Sequence, residues 1–255
     1  MAKSVLTLCA CALAAYALAD VAHETVGHGG MCALLGGKIV YVSTTFEDCS
    51  MRSRIVDGAG PCAGIAAALL CWLWLRVLPP AGRAARAFLC LGFAFAAFWN
   101  FGYLIKSGLT DQGDWAFVIA GLNPPLLWHA AIAIAGVVSY WFSIRLLTAL
   151  LTRHLASAEP SPSGLKPPAF TLIAYLAAAA LASIAASFDP RGPGTILHDA
   201  LPSSLGAVGL PLAGWFLQRS NPALRLAVPA SPAWIIAGGA AAAGFVALLG
   251  PGLRF

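Results

Sequence analysis

The segment His23-Glu24-Thr25-Val26-Gly27-His28 brings two imidazoles and a carboxylate together, with Asp20 one turn earlier. Two histidines and a glutamate on one helix are the parts of a zinc hydrolase. The imidazoles hold the metal and the carboxylate takes a proton from water. The familiar string is H-E-x-x-H, whereas this one is H-E-x-x-G-H. In a regular α-helix a spacing of five turns the second ring by about 140° and raises it by about 7.5 Å. Rings so placed do not both reach one zinc with bonds of about 2.0–2.1 Å. A π-bulge adds one residue to a turn and would return both to one face. Gly27 lies inside that turn and tolerates the distortion. The sequence therefore predicts metal ligands at His23 and His28, a general base at Glu24, and an irregular helix between them. The plainer alternative is that His23 and Glu24 hydrogen-bond neighbouring helices.

These polar groups sit at the end of an apolar run. The 255-residue chain is 60% hydrophobic and 10% charged, against roughly 25% charged for a soluble domain. That composition implies an integral membrane protein; a multi-pass protein of a bacterial inner (plasma) membrane is the expectation. Ionisable residues within such a helix are costly, and they mark a site or a pathway. Asp20, Glu24 and His28 form an i, i+4, i+8 stripe that must face a bundle interior or a cavity. The net charge of +5 comes from singly dispersed basic residues. No clustered basic patch exists, so nucleic acid is not expected as a partner.

About seven apolar stretches are long enough to cross a bilayer, near 4–28, 59–78, 87–105, 125–150, 169–187, 201–217 and 232–250. Each needs roughly 20 residues. The sixth is interrupted by Pro211 and several glycines, so six spans plus a re-entrant segment is the alternative. The expected fold is an all-α polytopic membrane protein, with a core over 1–151, a linker over 152–168 and C-terminal helices over 169–255. Basic connections (76–86, 145–168, 218–225) alternate with acidic ones (38–58, 106–114, 188–200). The positive-inside rule then puts the N-terminus inside, the C-terminus outside and the histidines toward the outer face. Lys3, the apolar stretch and Ala17-Leu18-Ala19 also fit a signal peptide, but the apolar pattern continues through Leu35 and favours a retained helix. The seven cysteines include no CxxC pair. Cys32 and Cys49 would pair only if their loop faces an oxidising compartment.

"HETVGHGGMCALLGGKIVYVS" followed by "DGAGPCAGIAAALLCWLWL" resembles the site-2-protease family of intramembrane zinc metallopeptidases over roughly residues 15 to 80. The resemblance implies a turn at Gly36-Gly37, a short β-hairpin after the first helix, and a helix opening at Gly60-Pro61. It also implies a Zn²⁺ cofactor and a membrane-protein substrate. Two features depart from the family: the five-residue spacing, and the lack of an Asp-Gly after "LNPP" (122–125). The spacing is similar to that of the dipeptidyl-peptidase III zinc motif. In place of the missing aspartate, Asp114 is the best candidate third ligand, with an N-cap role as the alternative. Asp111, Glu47, Asp48, His198 and Asp199 are its competitors. His129 and His154 read as structural. Asn100 either meets the substrate or, more commonly in a membrane helix, bonds another helix.

The expected activity is peptide hydrolysis by zinc-activated water, with the hairpin at 38–48 offering a strand edge to an unwound substrate. Two other classes remain open: an ion-coupled transporter or non-catalytic metal-binding protein, and a zinc-dependent lipid amidase. Substrate identity and oligomeric state are not encoded in any motif.

Overall fold

The first helix runs for 33 residues but changes its winding partway. In the computed structural model, α1 (Ala2–Val21) is regular, Ala22–Gly29 is a π-helix, and α2 (Gly30–Leu34) returns to α geometry. The structure describes residues 2–51, 53–77, 82–157 and 164–255, and only the backbone of His198 and Pro202. The irregular segment is the one that the five-residue histidine spacing calls for.

Gly36, at φ +82°, ends α2 in the left-handed region that glycine adopts freely. The hairpin follows, with β1 (Ile39–Val42) antiparallel to β2 (Glu47–Cys49). A third strand, β3 (Leu253–Arg254), pairs with the other edge of β1, giving the order β2-β1-β3. A disulfide between Cys32 and Cys49 ties β2 to α2. Closing a loop of that size restricts the unfolded chain by about 3 kcal/mol.

The remaining helices are α3 (Arg54–Val77), α4 (Arg83–Thr110), α5 (Asp114–Ile119), α6 (Pro125–Leu155) and α7 (Pro167–Ala186). After a π-turn at Ile196–Ala200 come α8 (Leu201–Gly206), α9 (Gly209–Ser220) and α10 (Pro232–Gly244). α4 is the central helix and packs against α1, α3 and α6. Its Ala87, Ala94 and Ala97 are fully buried, and such small side chains let helices approach closely. Phe95 and Phe98 fill the space between these contacts. Apolar side chains such as Leu70 and Trp74 on α3, or Val137 and Phe142 on α6, are exposed instead. That distribution suits a lipid environment, in which apolar surface carries no penalty.

Among the described residues, six helices are long and apolar enough to cross a membrane. The stretch expected at 201–217 is not one of them, because the helix is broken around Ala207–Val208 into α8 and α9. It still passes from one end of the bundle to the other. The segment before it binds the hairpin, through Thr45 Oγ1 and Asp189. The segment after it bridges Leu226 to Ala156 and Leu165 at the opposite end. The acidic connections thus gather at the hairpin end and the basic ones at the other. The linker expected at 152–168 is shorter at both edges, because α6 runs to Leu155 and α7 starts at Pro167. Residues 158–163 of it lie outside the described residues.

Candidate metal centre

The π-helix adds the residue that a regular turn lacks, and so brings His23 and His28 onto one side. Their Nε2 atoms stand 3.3 Å apart. Asp114, the first residue of α5, points its Oδ2 at both, 3.1 Å from His23 Nε2 and 3.4 Å from His28 Nε2. Its carboxylate is therefore turned to the imidazoles, and Gly113 occupies the helix-cap position.

Outer partners orient both rings. Asn100 Nδ2 donates to the Ala96 carbonyl at 2.7 Å, so its Oδ1 is the atom that meets His23 Nδ1 at 2.9 Å. His28 Nδ1 lies 2.8 Å from the Val56 carbonyl. An amide oxygen and a carbonyl can only accept, so both Nδ1 atoms carry the proton and both Nε2 lone pairs face inward. Trp99 stacks on His23 with centroids 5.0 Å apart and holds the ring in plane. Space for these groups is carved from α3. A Cβ on Gly60 would overlap the His28 imidazole, and one on Gly64 would overlap the Asn100 amide.

Two imidazole lone pairs and a carboxylate oxygen converge on one point, among residues that are largely buried. Such a cluster repels itself unless a positive charge sits in it. A tetrahedron with bonds of about 2.0–2.1 Å has edges of about 3.3–3.4 Å. The observed separations of 3.1, 3.3 and 3.4 Å form one face of it. The donor set thus fits zinc, with the fourth corner open. Glu24 Oε1 lies 3.9 Å from His23 Nε2, close to the cluster but outside the triangle.

Glu47, on the hairpin beside the cluster, binds its proton more tightly than usual. Its burial, reinforced by the charges of Glu24, Asp48 and Asp57, pushes it up to about 7, against a smaller lowering by His28.

A cavity of about 220 Å³ opens over the cluster, with Glu47, Lys106, Arg191 and Asp199 on its walls. Arg191 is held by Asp189 at 2.8 Å and by Asp199 at 3.5 Å. An apolar cavity of about 490 Å³ adjoins it, sharing Trp99, Tyr103 and Lys106 and extending to Leu205–Val208, where the α8–α9 passage breaks. On the other side, a groove runs along the outer edge of β2. It shares Phe46, Glu47, Asp57 and Phe117 with the central cavity.

Not every candidate joins the cluster. Asp111 caps α4 and pairs with His129 at 3.5 Å, which gives both a structural role. Glu47 and Asp199 line the cavity outside the ligand triangle, and Asp48 lies along the β2 groove. The side chain of His198 is outside the described residues. Asp20 is buried in α1, and neither of its oxygens has a hydrogen-bond partner among the described residues. His154 is buried at the basic end. Cys32, Glu47 and Cys49 also cluster, but the disulfide removes both thiolates as ligands. Sequence reasoning missed the Val56 carbonyl, which any residue type could supply, and Trp99, whose apolar setting hides its stacking role. Asn100 was detectable as a lone amide in an apolar helix, and its bond is to another helix.

Comparison with known protein families, with characterised proteins and with solved structures finds no match for this chain.

Proposed function

We propose that the protein is a zinc-dependent intramembrane metallopeptidase of the site-2-protease type, hydrolysing membrane-embedded or juxtamembrane polypeptides. The observation that carries this reading is the ligand triangle of His23, His28 and Asp114 with Glu24 beside it. Zinc in that triangle would polarise a substrate carbonyl and acidify a water in its open position. Glu24 accepts the water's proton and passes it to the leaving amine as the C–N bond breaks. Asn100 and the Val56 carbonyl keep both Nε2 atoms unprotonated and aimed. An extended substrate segment adds to the outer edge of β2, the edge along which the groove leads into the cavity that holds Glu24. The apolar cavity beside Trp99 and Tyr103 suits the side chains of a segment leaving the bilayer.

The test pairs metal content with turnover of a single-span model substrate. Wild type and Glu24→Gln should each hold about one zinc per chain, with His28→Ala empty. Glu24→Gln should lose at least about 10²-fold in rate. Sub-stoichiometric metal in all three overturns the zinc reading. Stoichiometric zinc with unchanged cleavage, or with altered ion flux instead, overturns the peptidase reading in favour of a carrier.

A further inference from the structure

At the opposite end from the metal centre, a cleft of about 780 Å³ lies between the C-terminal part of α6 and α9. Its walls combine two kinds of surface. Trp141 and Phe216 meet edge to face at 5.8 Å and form an apolar entrance. Arg145, Arg153 and Arg219 line the rest, interleaved with Thr148, Thr152 and Ser220. Among the described residues, no acidic side chain lines the cleft and none pairs with these arginines. Arg219 is held over the Trp215 ring at 4.6 Å.

The position along α6 sets the depth. The helix spans 31 residues, or about 46 Å at 1.5 Å per residue. A hydrocarbon core of about 30 Å consumes about 20 of them. Counting from Pro125, that core ends at Arg145, so Arg145 and Arg153 fall in the headgroup zone. Exposed guanidiniums without acidic partners at that depth are costly unless an anion meets them. Arg also forms paired hydrogen bonds to phosphate oxygens. The basic character of the connections at this end marks it as the cytoplasmic one, where anionic lipids interact with basic pockets between helices.

We infer that this cleft binds an anionic phospholipid of the cytoplasmic leaflet. Its phosphate lies among Arg145, Arg153 and Arg219, and an acyl chain passes along Trp141 and Phe216. The site is independent of the metal centre and of the peptidase reading.

The full-length protein in detergent is titrated with phosphatidylglycerol, phosphatidylcholine and inorganic phosphate, and read by native mass spectrometry and thermal unfolding. Phosphatidylglycerol should give a retained adduct and a raised Tm, and the other two should not. Each arginine removed should weaken lipid binding roughly fivefold, so Arg145→Gln/Arg153→Gln should lose roughly 30-fold. Arg76→Gln removes an exposed charge at the same end but outside the cleft, and should bind as wild type. If the double variant fails to fold, Thr152→Glu places an acid in the cleft at an exposed position and should abolish the adduct. Equal binding of phosphatidylcholine, equal stabilisation by free phosphate, equal loss in Arg76→Gln, or an undiminished adduct in the cleft variants overturns the proposal.

Discussion

The imidazole of His28 occupies the space in which position 60 would carry a side chain. Gly60 thus makes room for the His28 ring in the candidate metal centre, although it offers no ligand atom. Alanine is the better helix former by about 1 kcal/mol, but its Cβ must displace the buried ring at a cost of about 1–3 kcal/mol, so Gly60→Ala should fold with a net loss of at most about 2 kcal/mol. Zinc affinity should nevertheless fall at least about 10–100-fold, the range seen when an outer partner of a ligand is lost. Competition with a fluorescent chelator measures it. Gly30→Ala, which meets nothing within 4 Å, is the control.

Asn100 orients His23 through Nδ1. Asn100→Leu should lower zinc affinity by about 10–100-fold. Asn100→Asp keeps an acceptor at the same place and should retain most of it. If both variants bind zinc like wild type, the Asn100–His23 bond is packing only.

The hairpin carries a pH signature. Glu47 binds its proton more tightly in the fold, up to about 7, than in the unfolded chain. Its protonated form is therefore favoured by folding. That contribution is present below the unfolded pKa and lost as pH rises through about 7. In metal-free protein, Glu47→Gln should raise Tm at pH 8 and leave it nearly unchanged at pH 4. Solvent screening limits the effect to about 1 kcal/mol, or roughly 2–4 °C. Zinc should shrink the difference, because a nearby cation favours ionised Glu47. A Tm difference that is equal at both pH values refutes the assignment.

Asp189 gives the opposite sign. Burial raises its pKa, but the hydrogen bonds and charge of Arg191 outweigh that and lower it. Its contribution is full above the unfolded value of about 3.9 and fades as pH falls through the folded one. Asp189→Asn should therefore destabilise the hairpin tether at pH 6 and matter little at pH 2, as read by hydrogen exchange at Thr44 and Thr45.

The Cys32–Cys49 disulfide lies at the acidic end, and disulfides persist in oxidising compartments. In cells carrying Cys62→Ser, an impermeant maleimide should label these cysteines only after treatment with an impermeant reductant. Labelling only after permeabilisation would place the metal centre on the cytoplasmic side.

Much of the candidate site was readable from local spacing, because the juxtaposition of His23, Glu24 and His28 depends on residues within one turn. The same spacing called for an irregular helix, and Gly27 permitted it. Asp114 was harder to read, because its role depends on where α5 packs against α3 and α4. The partners on His23 and His28 were less legible still. Asn100 was visible only as a polar residue in an apolar run, and the Val56 carbonyl leaves no trace in residue identity. The spans were legible from hydropathy, but the break at Ala207–Val208 was not separable from a re-entrant turn. Glycines and Pro211 interrupt the pattern in both cases.

β1 lies between its two neighbours, so the outer edges of the sheet are those of β2 and of the two-residue β3. Along the β2 edge runs the groove that shares Phe46, Glu47, Asp57 and Phe117 with the central cavity. A visiting strand on that flank would make the sheet four-stranded and turn β2 from a border into an interior strand, while the β3 flank stayed open.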